Sequence, residues 1–401
     1  MNTTRRKTLA MGAAALGGTF FIGRASAQGK GEIKLGQTMP YSGPASAYGT
    51  IGKLHQAYFK KLNAEGGING RMINLISMDD GYSPPKAVEA VRKMVEQDEV
   101  HALFQTLGTP SNSAIHKYVN AKKVPHLFVA TGATKWNDPK NFPYTFGFNL
   151  SYQTEGEIYA RYILKNKPNA KIAILYQNDD YGKDVLAGVE RILAGDKAKM
   201  IVARATYEVS DPTVDSQILT LKASGADTFI NITTPKFAAQ AVRKVYDSGW
   251  KVLHLLNNVS ASVGSVLTPA GLDKSVDVIT VQYYKDASDP QWKDDPAMLE
   301  WRGFMGKHYT DGNVADASNI YAYITAQLMV QVLKQCGSDL SRENIKKQAE
   351  SIKNFRSNLL LPGIAMSTSA TDHAPIKQAQ LSKFNGKQWV LFGEVLGGAA
   401  G

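Results

Sequence analysis

The sequence contains almost no cysteine, and its N-terminal apolar run is shorter than a membrane span requires. The 401 residues contain one cysteine, Cys336, so no disulfide can form within the chain. Cys336 follows an apolar helical pattern, and we expect a buried structural thiol there. The weakly apolar run from Leu9 to Ile22 is too short and too rich in glycine to span a bilayer stably.

The motifs of common catalytic and metal sites are also missing. The chain contains no G-x-G-x-x-G and no G-x-x-x-x-G-K-[ST], so it lacks the fingerprints of nucleotide phosphate binding. It contains no H-E-x-x-H, no C-x-x-C and no G-x-S-x-G, and its seven histidines show no ligand spacing. Asp79-Asp80 and Asp179-Asp180 follow predicted strands, where turn and helix-cap roles are favoured. We therefore expect no metal, no cofactor and no catalysis.

The charge balance is basic but diffuse. The net charge of +11 falls to +7 without the basic residues Arg5, Arg6, Lys7 and Arg24 of the N-terminal segment. The remaining positive charge forms no run of five or six basic residues, which disfavours nucleic-acid binding. A mild attraction for anionic ligands is the expectation that remains.

Residues 1–27 have the pattern of a cleaved export signal. Twin arginines, Arg5 and Arg6, precede the weakly apolar run, and Ala25-Ser26-Ala27 is a small-residue cleavage site. Arg24, just before that site, favours a twin-arginine signal over an ordinary secretion signal, which is the alternative. We expect the mature protein to begin near Gln28 and to be periplasmic.

The rest of the chain alternates strand and helix patterns, which predicts an α/β fold with parallel, doubly wound sheets. One series runs from Ile33 to Ala130 and a second, independent series from Thr154 to Leu256, with a crossover near Asn149. Long helical patterns follow after about Tyr284, and Asn385-Gly386 predicts a closing β-hairpin. Ligands of open parallel sheets bind at the carboxyl ends of the strands, so two such units can share a cleft.

The stretch ALFQTLGTPSNSAIH, residues 102–116, predicts a strand that ends in a hydroxyl-rich turn at the start of a helix. The first N–H groups of a helix have no partner within it, and the helix dipole favours negative charge at that end. The turn is therefore a candidate anion-binding site, although plain helix capping fits it as well.

Several stretches together resemble the branched-chain amino-acid type of periplasmic solute-binding protein, the soluble receptors of ATP-driven importers. The resemblance runs from about Glu32 to the C-terminus and rests on these motifs: Met39-Pro40-Tyr41-Ser42-Gly43-Pro44 with Tyr48-Gly49, Asn63-Ala64-Glu65-Gly66-Gly67-Ile68-Asn69-Gly70, and Asn178-Asp179-Asp180-Tyr181-Gly182. It implies two Rossmann-like lobes joined by three hinge crossovers and closing over a ligand. Lobe 1 would comprise residues 28–149 and 284–356, and lobe 2 residues 150–283 and 357–401.

The same resemblance implies the ligand-binding residues. Lobe 1 would hold a ligand carboxylate through the loop near Gly108 and Thr109 and the turn Ala130-Thr131-Gly132, with Tyr48 at the cleft edge. Lobe 2 would contribute Tyr152, Tyr181, Thr234, Asn257 and Asn258. Phe148 belongs to a set of aromatic residues expected around the cleft, on which flat ligands stack well.

One departure from the family pattern bears on the ligand. Amino-acid receptors of this family place an acidic residue at the position aligned with Asn258, where it pairs with the ligand's ammonium group. This sequence has Asn257-Asn258 and no acid, so a dry cleft would leave the ammonium unpaired. We predict a carboxylate without an amine, of the benzoate or phenylpropenoate kind, delivered to a membrane permease by a monomeric receptor.

Four alternatives stay open. The scaffold could carry a branched-chain amino acid held by other means, or a neutral amide or urea. The chain could instead be an exported two-lobed α/β enzyme. A sensing module for a membrane kinase is disfavoured, because no transmembrane segment or signalling domain follows Gly401.

Overall fold

The computed structural model describes residues 31–397, so the predicted export signal lies outside the described part of the chain. The first third of that part forms a five-stranded parallel sheet in the order β2-β1-β3-β4-β5. Its strands are β1 (Ile33–Met39), β2 (Ile73–Asp79), β3 (Ala102–Phe104), β4 (His126–Val129) and β5 (Thr145–Gly147). Three helices connect the first four strands: α1 (Gly49–Ala64), α2 (Pro84–Glu96) and α3 (Thr109–Ala121).

The second sheet has seven strands in the order β12-β11-β10-β9-β8-β6-β7. Its strands are β6 (Ile172–Gln177), β7 (Ile201–Tyr207), β8 (Thr228–Ile232), β9 (Leu253–Leu256), β10 (Ile279–Gln282), β11 (Gln378–Phe384) and β12 (Trp389–Gly397). Its helices are α4 (Tyr152–Asn166), α5 (Asp180–Ile192), α6 (Asp215–Ala223), α7 (Pro235–Asp247) and the short α8 (Thr268–Ala270). The first five of these strands are parallel, and β11 and β12 form the predicted antiparallel hairpin.

Three further helices lie between β10 and β11: α9 (Pro296–His308), α10 (Ala317–Cys336) and α11 (Arg342–Ala349). Helices α9 and α10 pack against α1 of the first sheet, and α11 packs against α10. A buried polar chain joins β1, α1 and α10. Gln37 Nε2 lies 2.9 Å from His55 Nδ1, and His55 Nε2 lies 2.9 Å from Thr325 Oγ1. Burial lowers the pKa of His55 to about 3, so this histidine is neutral and structural. Cys336 is buried and free, as predicted.

The local signals in the sequence explain where several elements start. Strand β1 is buried at six of its seven positions, as expected for a parallel strand covered on both faces. Asp179 caps α5 by accepting the N–H groups of Tyr181 and Gly182, which confirms its predicted cap role. Asp79 accepts the N–H group of Gly81 and forms a turn. Ser83 occupies the N-cap position of α2, but its side chain makes no cap hydrogen bond.

The chain crosses between the sheets three times: after β5, after β10 and before β11. The last crossing is marked by His373, whose N–H donates to Asn137 Oδ1 (2.6 Å) and whose carbonyl accepts the Gly147 N–H (3.1 Å). These contacts favour a third crossing between His373 and Gln378, beyond the predicted boundary at residue 357. The exact lobe boundaries stay a prediction. Among residues 31–397, no helix combines the length and apolarity needed to cross a membrane.

Candidate ligand-binding site

A cavity lies between the carboxyl ends of the two sheets. The space between the walls, including the mouth that opens to solvent, is about 770 Å³. Residues from both sheets and from the start of α10 line it. Most residues expected at the site come together here: Tyr48, Gly108, Thr109, Ala130, Thr131, Tyr152, Tyr181, Thr234 and Asn258. That these residues contact a ligand stays a prediction.

Three expected site residues do not line the cavity. Gly132 supports the wall from behind, because its carbonyl accepts the N–H of Tyr152 at 2.8 Å. A side chain there would collide, since a Cβ would lie 2.4 Å from the Leu150 carbonyl oxygen. Phe148 is buried and packs edge-on against Tyr321, with ring centroids 5.1 Å apart. Asn257 is fully buried behind the wall, so Asn258 is the asparagine that faces the cavity.

The wall formed by the first sheet contains part of residues 102–116, the stretch that the sequence marks as a candidate anion-binding site. Gly108 ends the β3 connection with a φ of 96°, a conformation that favours glycine. A Cβ at Gly108 would lie 2.6 Å from Cε2 of Tyr82, so a larger residue would displace that ring. Helix α3 then begins at Thr109, and its first intrahelical bond runs from the Asn112 N–H to the Gly108 carbonyl (3.0 Å). The N–H groups of Thr109 and Ser111 precede this bond and therefore have no partner within the helix.

Two hydroxyl groups meet at this helix start. Thr109 Oγ1 and Thr131 Oγ1 lie 2.5 Å apart, and both threonines are almost fully buried. One hydroxyl proton bridges the pair, and the other hydroxyl proton can be donated to a further acceptor. A carboxylate oxygen is an acceptor of that kind, and the helix dipole favours its negative charge.

The wall formed by the second sheet presents an amide instead of an acid. The Asn258 side chain donates from Nδ2 to the Val281 carbonyl oxygen at 2.6 Å, which fixes the amide. The Asn258 N–H donates to Glu155 Oε1, also at 2.6 Å. Glu155 does not line the cavity but is buried directly behind Asn258. Burial raises the pKa of the Glu155 carboxyl to about 7.

Sequence reasoning missed Glu155, because a glutamate inside a helical pattern looks like any surface position. It also missed several lining residues from segments without a family motif: Ile51, Tyr82, Leu107, Asn149, Val259, Ala261, Ser262, Gln282, Tyr283, Tyr284, Ala317, Ser318 and Tyr321. Tyr82, Tyr283 and Tyr284 were detectable only as aromatic residues close to strand ends, whereas Tyr321 lies within helix α10.

Tyrosines dominate the lining. The seven that line the cavity are Tyr48, Tyr82, Tyr152, Tyr181, Tyr283, Tyr284 and Tyr321. The rings of Tyr152 and Tyr181 are tilted by 59° with centroids 5.1 Å apart, so they form one aromatic corner. The Tyr321 hydroxyl donates to Asn149 Oδ1 (2.8 Å). The Tyr181 hydroxyl is buried and has no hydrogen-bond partner within residues 31–397. Burial raises the pKa of each ring hydroxyl, so all remain neutral.

No Asp, Glu, Lys, Arg or His is found among the described residues that line the cavity. An isolated charge in such surroundings is costly unless hydrogen bonds or helix ends compensate it. The start of α3 supplies that compensation for an anion, whereas the described lining residues include no acidic side chain that could pair with a cation.

Contacts across the cleft tie the two walls together. The Tyr48 hydroxyl, from the first sheet's side, donates to the Val259 carbonyl at 3.0 Å. Lys135 Nζ pairs with Asp180 Oδ2 at 2.6 Å, and the Ser262 hydroxyl donates to Asp316 Oδ1 at 2.9 Å. Within the described residues, no group of three or more His, Cys, Asp or Glu side chains could hold a metal ion.

Comparison with known proteins agrees with this architecture. The family described as periplasmic binding protein matches residues 32–388. The chain belongs to this family. It is 23% identical over 269 residues to Leu/Ile/Val-binding protein homolog 7 of Brucella suis biovar 1, a match that covers 65% of this chain. The match spans 66% of that relative, just under two thirds of its length.

Two solved structures show the same fold. A branched-chain amino acid ABC transporter protein from Thermus thermophilus with bound valine superposes with a TM-score of 0.82 at 16% identity, over 92% of this chain and 98% of that one. An ABC transporter solute-binding protein from R. palustris in complex with benzoate superposes with a TM-score of 0.76 at 18% identity, over 92% and 98%. Periplasmic binding proteins of this type are receptors rather than enzymes.

Proposed function

We propose that this periplasmic binding protein captures a small aromatic carboxylate, of the benzoate or phenylpropenoate type, and delivers it to the permease of an ATP-driven importer. The observation that carries the proposal is the uncharged, tyrosine-rich cavity with a helix start and two threonine hydroxyls at one wall. The receptor would be exported by the twin-arginine signal of residues 1–27 and would act in the periplasm as a monomer.

The carboxylate end of the ligand is assigned to Thr109 and Thr131. Their shared hydroxyl contact leaves one O–H donor, and the N–H groups at the start of α3 supply further donors. Hydrogen bonds to a charged acceptor are worth about 1.5–3 kcal/mol each, which is enough to hold an anion without a basic side chain.

The aromatic part of the ligand is assigned to the tyrosine-lined space. Rings of Tyr152 and Tyr181 offer tilted faces and edges, and aromatic pairs in such arrangements gain about 0.5–1.5 kcal/mol beyond burial alone. The Tyr181 hydroxyl, buried without a partner, is completed by a polar atom of the ligand. The benzoate complex of the R. palustris protein supports an aromatic acid as a cargo of this fold.

A branched-chain amino acid is the second candidate, and a specific observation favours it. Ile51 and Leu107 add an aliphatic patch to the lining, and Glu155 is an acid close behind the wall. The names of the Brucella relative and the valine-bound Thermus structure point the same way. Against this candidate, the Glu155 carboxyl is separated from the cavity by Asn258, so an ammonium group has no exposed acid to pair with.

A thermal-shift panel of the protein from residue 28 onward separates the two candidates. Benzoate, 4-hydroxybenzoate and cinnamate are compared with leucine, valine and urea, because a ligand that binds only the folded state raises the melting temperature with its concentration. We expect concentration-dependent shifts with the aromatic acids. A shift with leucine and none with the aromatic acids would overturn the ligand while leaving the receptor function, and turnover of any compound would overturn the receptor function.

A further inference from the structure

Glu155 is a buried carboxyl group held at the back of the cavity wall. It lies in the first turn of α4 and is 1% exposed. Its Oε1 atom accepts two hydrogen bonds, from the Asn258 N–H at 2.6 Å and from the Tyr159 hydroxyl at 2.7 Å. The Tyr159 hydroxyl also lies 2.8 Å from the Leu256 carbonyl, so the group is built into the end of strand β9.

The contacts of Glu155 continue into the ligand cavity. Asn258, which it holds by the backbone, lines the cavity together with the next residue, Val259. The Val259 carbonyl accepts the Tyr48 hydroxyl from the opposite wall. Asn258 and the adjacent Val259 therefore connect Glu155 to the hydrogen bond between Tyr48 and Val259, which spans the cleft.

Within the described part of the chain, no positively charged side chain pairs with Glu155. The groups that face it are tyrosines and backbone amides: Tyr152 and Tyr159 on its own helix, Tyr181 on α5, Tyr283 after β10, and Asn258 after β9. It takes part in no ion pair within residues 31–397, whereas its neighbour Glu157 pairs with Arg161 and Arg191. The hydrogen bonds from the Asn258 N–H and the Tyr159 hydroxyl lower the pKa of Glu155, but burial outweighs them and raises it to about 7, so its charge changes within the neutral pH range.

The charge of Glu155 is felt at the cavity. An ionised Glu155 raises the pKa of Tyr152, Tyr181 and Tyr283, which all line the cavity. No charged side chain among the described lining residues would screen a bound anion from it. Two negative charges that share a poorly solvated region repel each other more strongly than in water.

We propose that Glu155 is a positioning residue whose protonation is coupled to ligand binding, so that the receptor takes up a proton at Glu155 when it binds an anionic ligand. The proposal rests on the proposed function, since it requires a carboxylate in the cavity. Linkage then fixes the direction: affinity for a carboxylate falls as the pH rises through neutrality, because more of the unliganded protein carries the opposing charge. An amino acid with its ammonium group near Asn258 would bind more tightly as the pH rises.

Isothermal titration with benzoate at pH 6 and pH 8 tests the coupling. We expect the wild-type protein to bind benzoate about threefold or more weakly at pH 8. Titration near pH 7 in buffers of different ionisation enthalpy should show net proton uptake. Glu155→Gln keeps an acceptor oxygen for Asn258 but cannot titrate, so its affinity should be independent of pH and its proton uptake should vanish. The matched control Glu157→Gln changes a carboxylate on the same helix and should behave like the wild type.

Each other result has a definite meaning. Benzoate binding that is equally tight at both pH values, or a pH dependence that survives in Glu155→Gln, overturns the coupling and leaves the proposed function standing. If Glu155→Gln does not fold, carboxyl NMR of the wild type decides: benzoate must raise the pKa of Glu155, and an unchanged pKa overturns the proposal. Failure of benzoate to bind at either pH overturns the proposed function. In that case, carboxyl NMR that places the pKa of Glu155 in its ordinary acidic range overturns this inference as well. A pKa near neutrality preserves only the claim that Glu155 titrates near neutral pH in the ligand-free protein.

Discussion

The wall formed by the first sheet and the wall formed by the second sheet differ in how they bring polar groups to the cavity. The first wall offers donors: the start of α3 and the paired hydroxyls of Thr109 and Thr131. The second wall offers an amide, Asn258, and keeps its acid, Glu155, behind the surface. This difference shows that the cavity can compensate an anion at the first wall, whereas the described residues of the second wall expose no acidic side chain to pair with a cation.

The largest effect on ligand binding is expected when the hydroxyl donors of the first wall are removed. The double variant Thr109→Val, Thr131→Val keeps the shape of both side chains but loses both hydroxyls. We expect benzoate affinity to fall about 100-fold, corresponding to about 3 kcal/mol, because charge-assisted hydrogen bonds are lost. Isothermal titration measures the loss.

The control for that experiment is Thr134→Val, which removes a hydroxyl that bonds Asp184 outside the cavity lining. It should cost little affinity. If the double variant binds benzoate as well as the wild type does, the carboxylate does not lie at the first wall.

The buried acid of the second wall makes a separate prediction about stability without ligand. The pKa of Glu155 is raised from its ordinary value of 4.5 to about 7 in the folded state. The unfolded chain therefore loses this proton first, so the free energy of unfolding declines as the pH rises from about 4.5 to about 7 and levels off above that. The decline should amount to about 3 kcal/mol, because a difference of one pKa unit between the folded and unfolded states corresponds to about 1.4 kcal/mol.

Urea unfolding between pH 4.5 and pH 8 measures this slope. Glu155→Gln should remove about 3 kcal/mol of the decline, and Glu157→Gln should retain it. Parallel curves for the wild type and Glu155→Gln would mean that Glu155 does not titrate in this range.

The difference between the two walls can also be tested by placing an acidic side chain on the cavity surface of the second wall. Asn258→Glu places a carboxylate on the cavity surface close to Glu155, and like-charge repulsion should weaken benzoate binding about tenfold, corresponding to about 1.4 kcal/mol. Titration with benzoate and leucine measures the change, and Asn258→Gln is the size-matched neutral control. Unchanged benzoate affinity in Asn258→Glu would show that this residue does not face the ligand.

Much of the architecture could be predicted from the sequence, because local sequence patterns indicate the strands, helices and turns. The predicted series of strands and helices begins at Ile33, where strand β1 begins, and Asn385-Gly386 marked the hairpin of β11 and β12. The strand-to-helix junction at Gly108 and Thr109 was also predicted from the sequence, and its role in anion binding stays a prediction.

The parts that escaped prediction depend on contacts between distant segments. Glu155 reaches the site only because α4 packs against the end of β9, 103 residues further along the chain. Tyr284 and Tyr321 line the cavity because the chain returns to the first sheet after β10. Asn257 and Asn258 are neighbours in a strand end, and only the register of that end decides which side chain is buried and which faces the cavity.

The most direct test of the central claim is isothermal titration of the wild-type protein with benzoate and with leucine under identical conditions at pH 6. The absence of an exposed acid predicts that benzoate binds about tenfold or more tightly than leucine, because the leucine ammonium would stay unpaired in the cavity. Tighter binding of leucine than of benzoate would contradict the account.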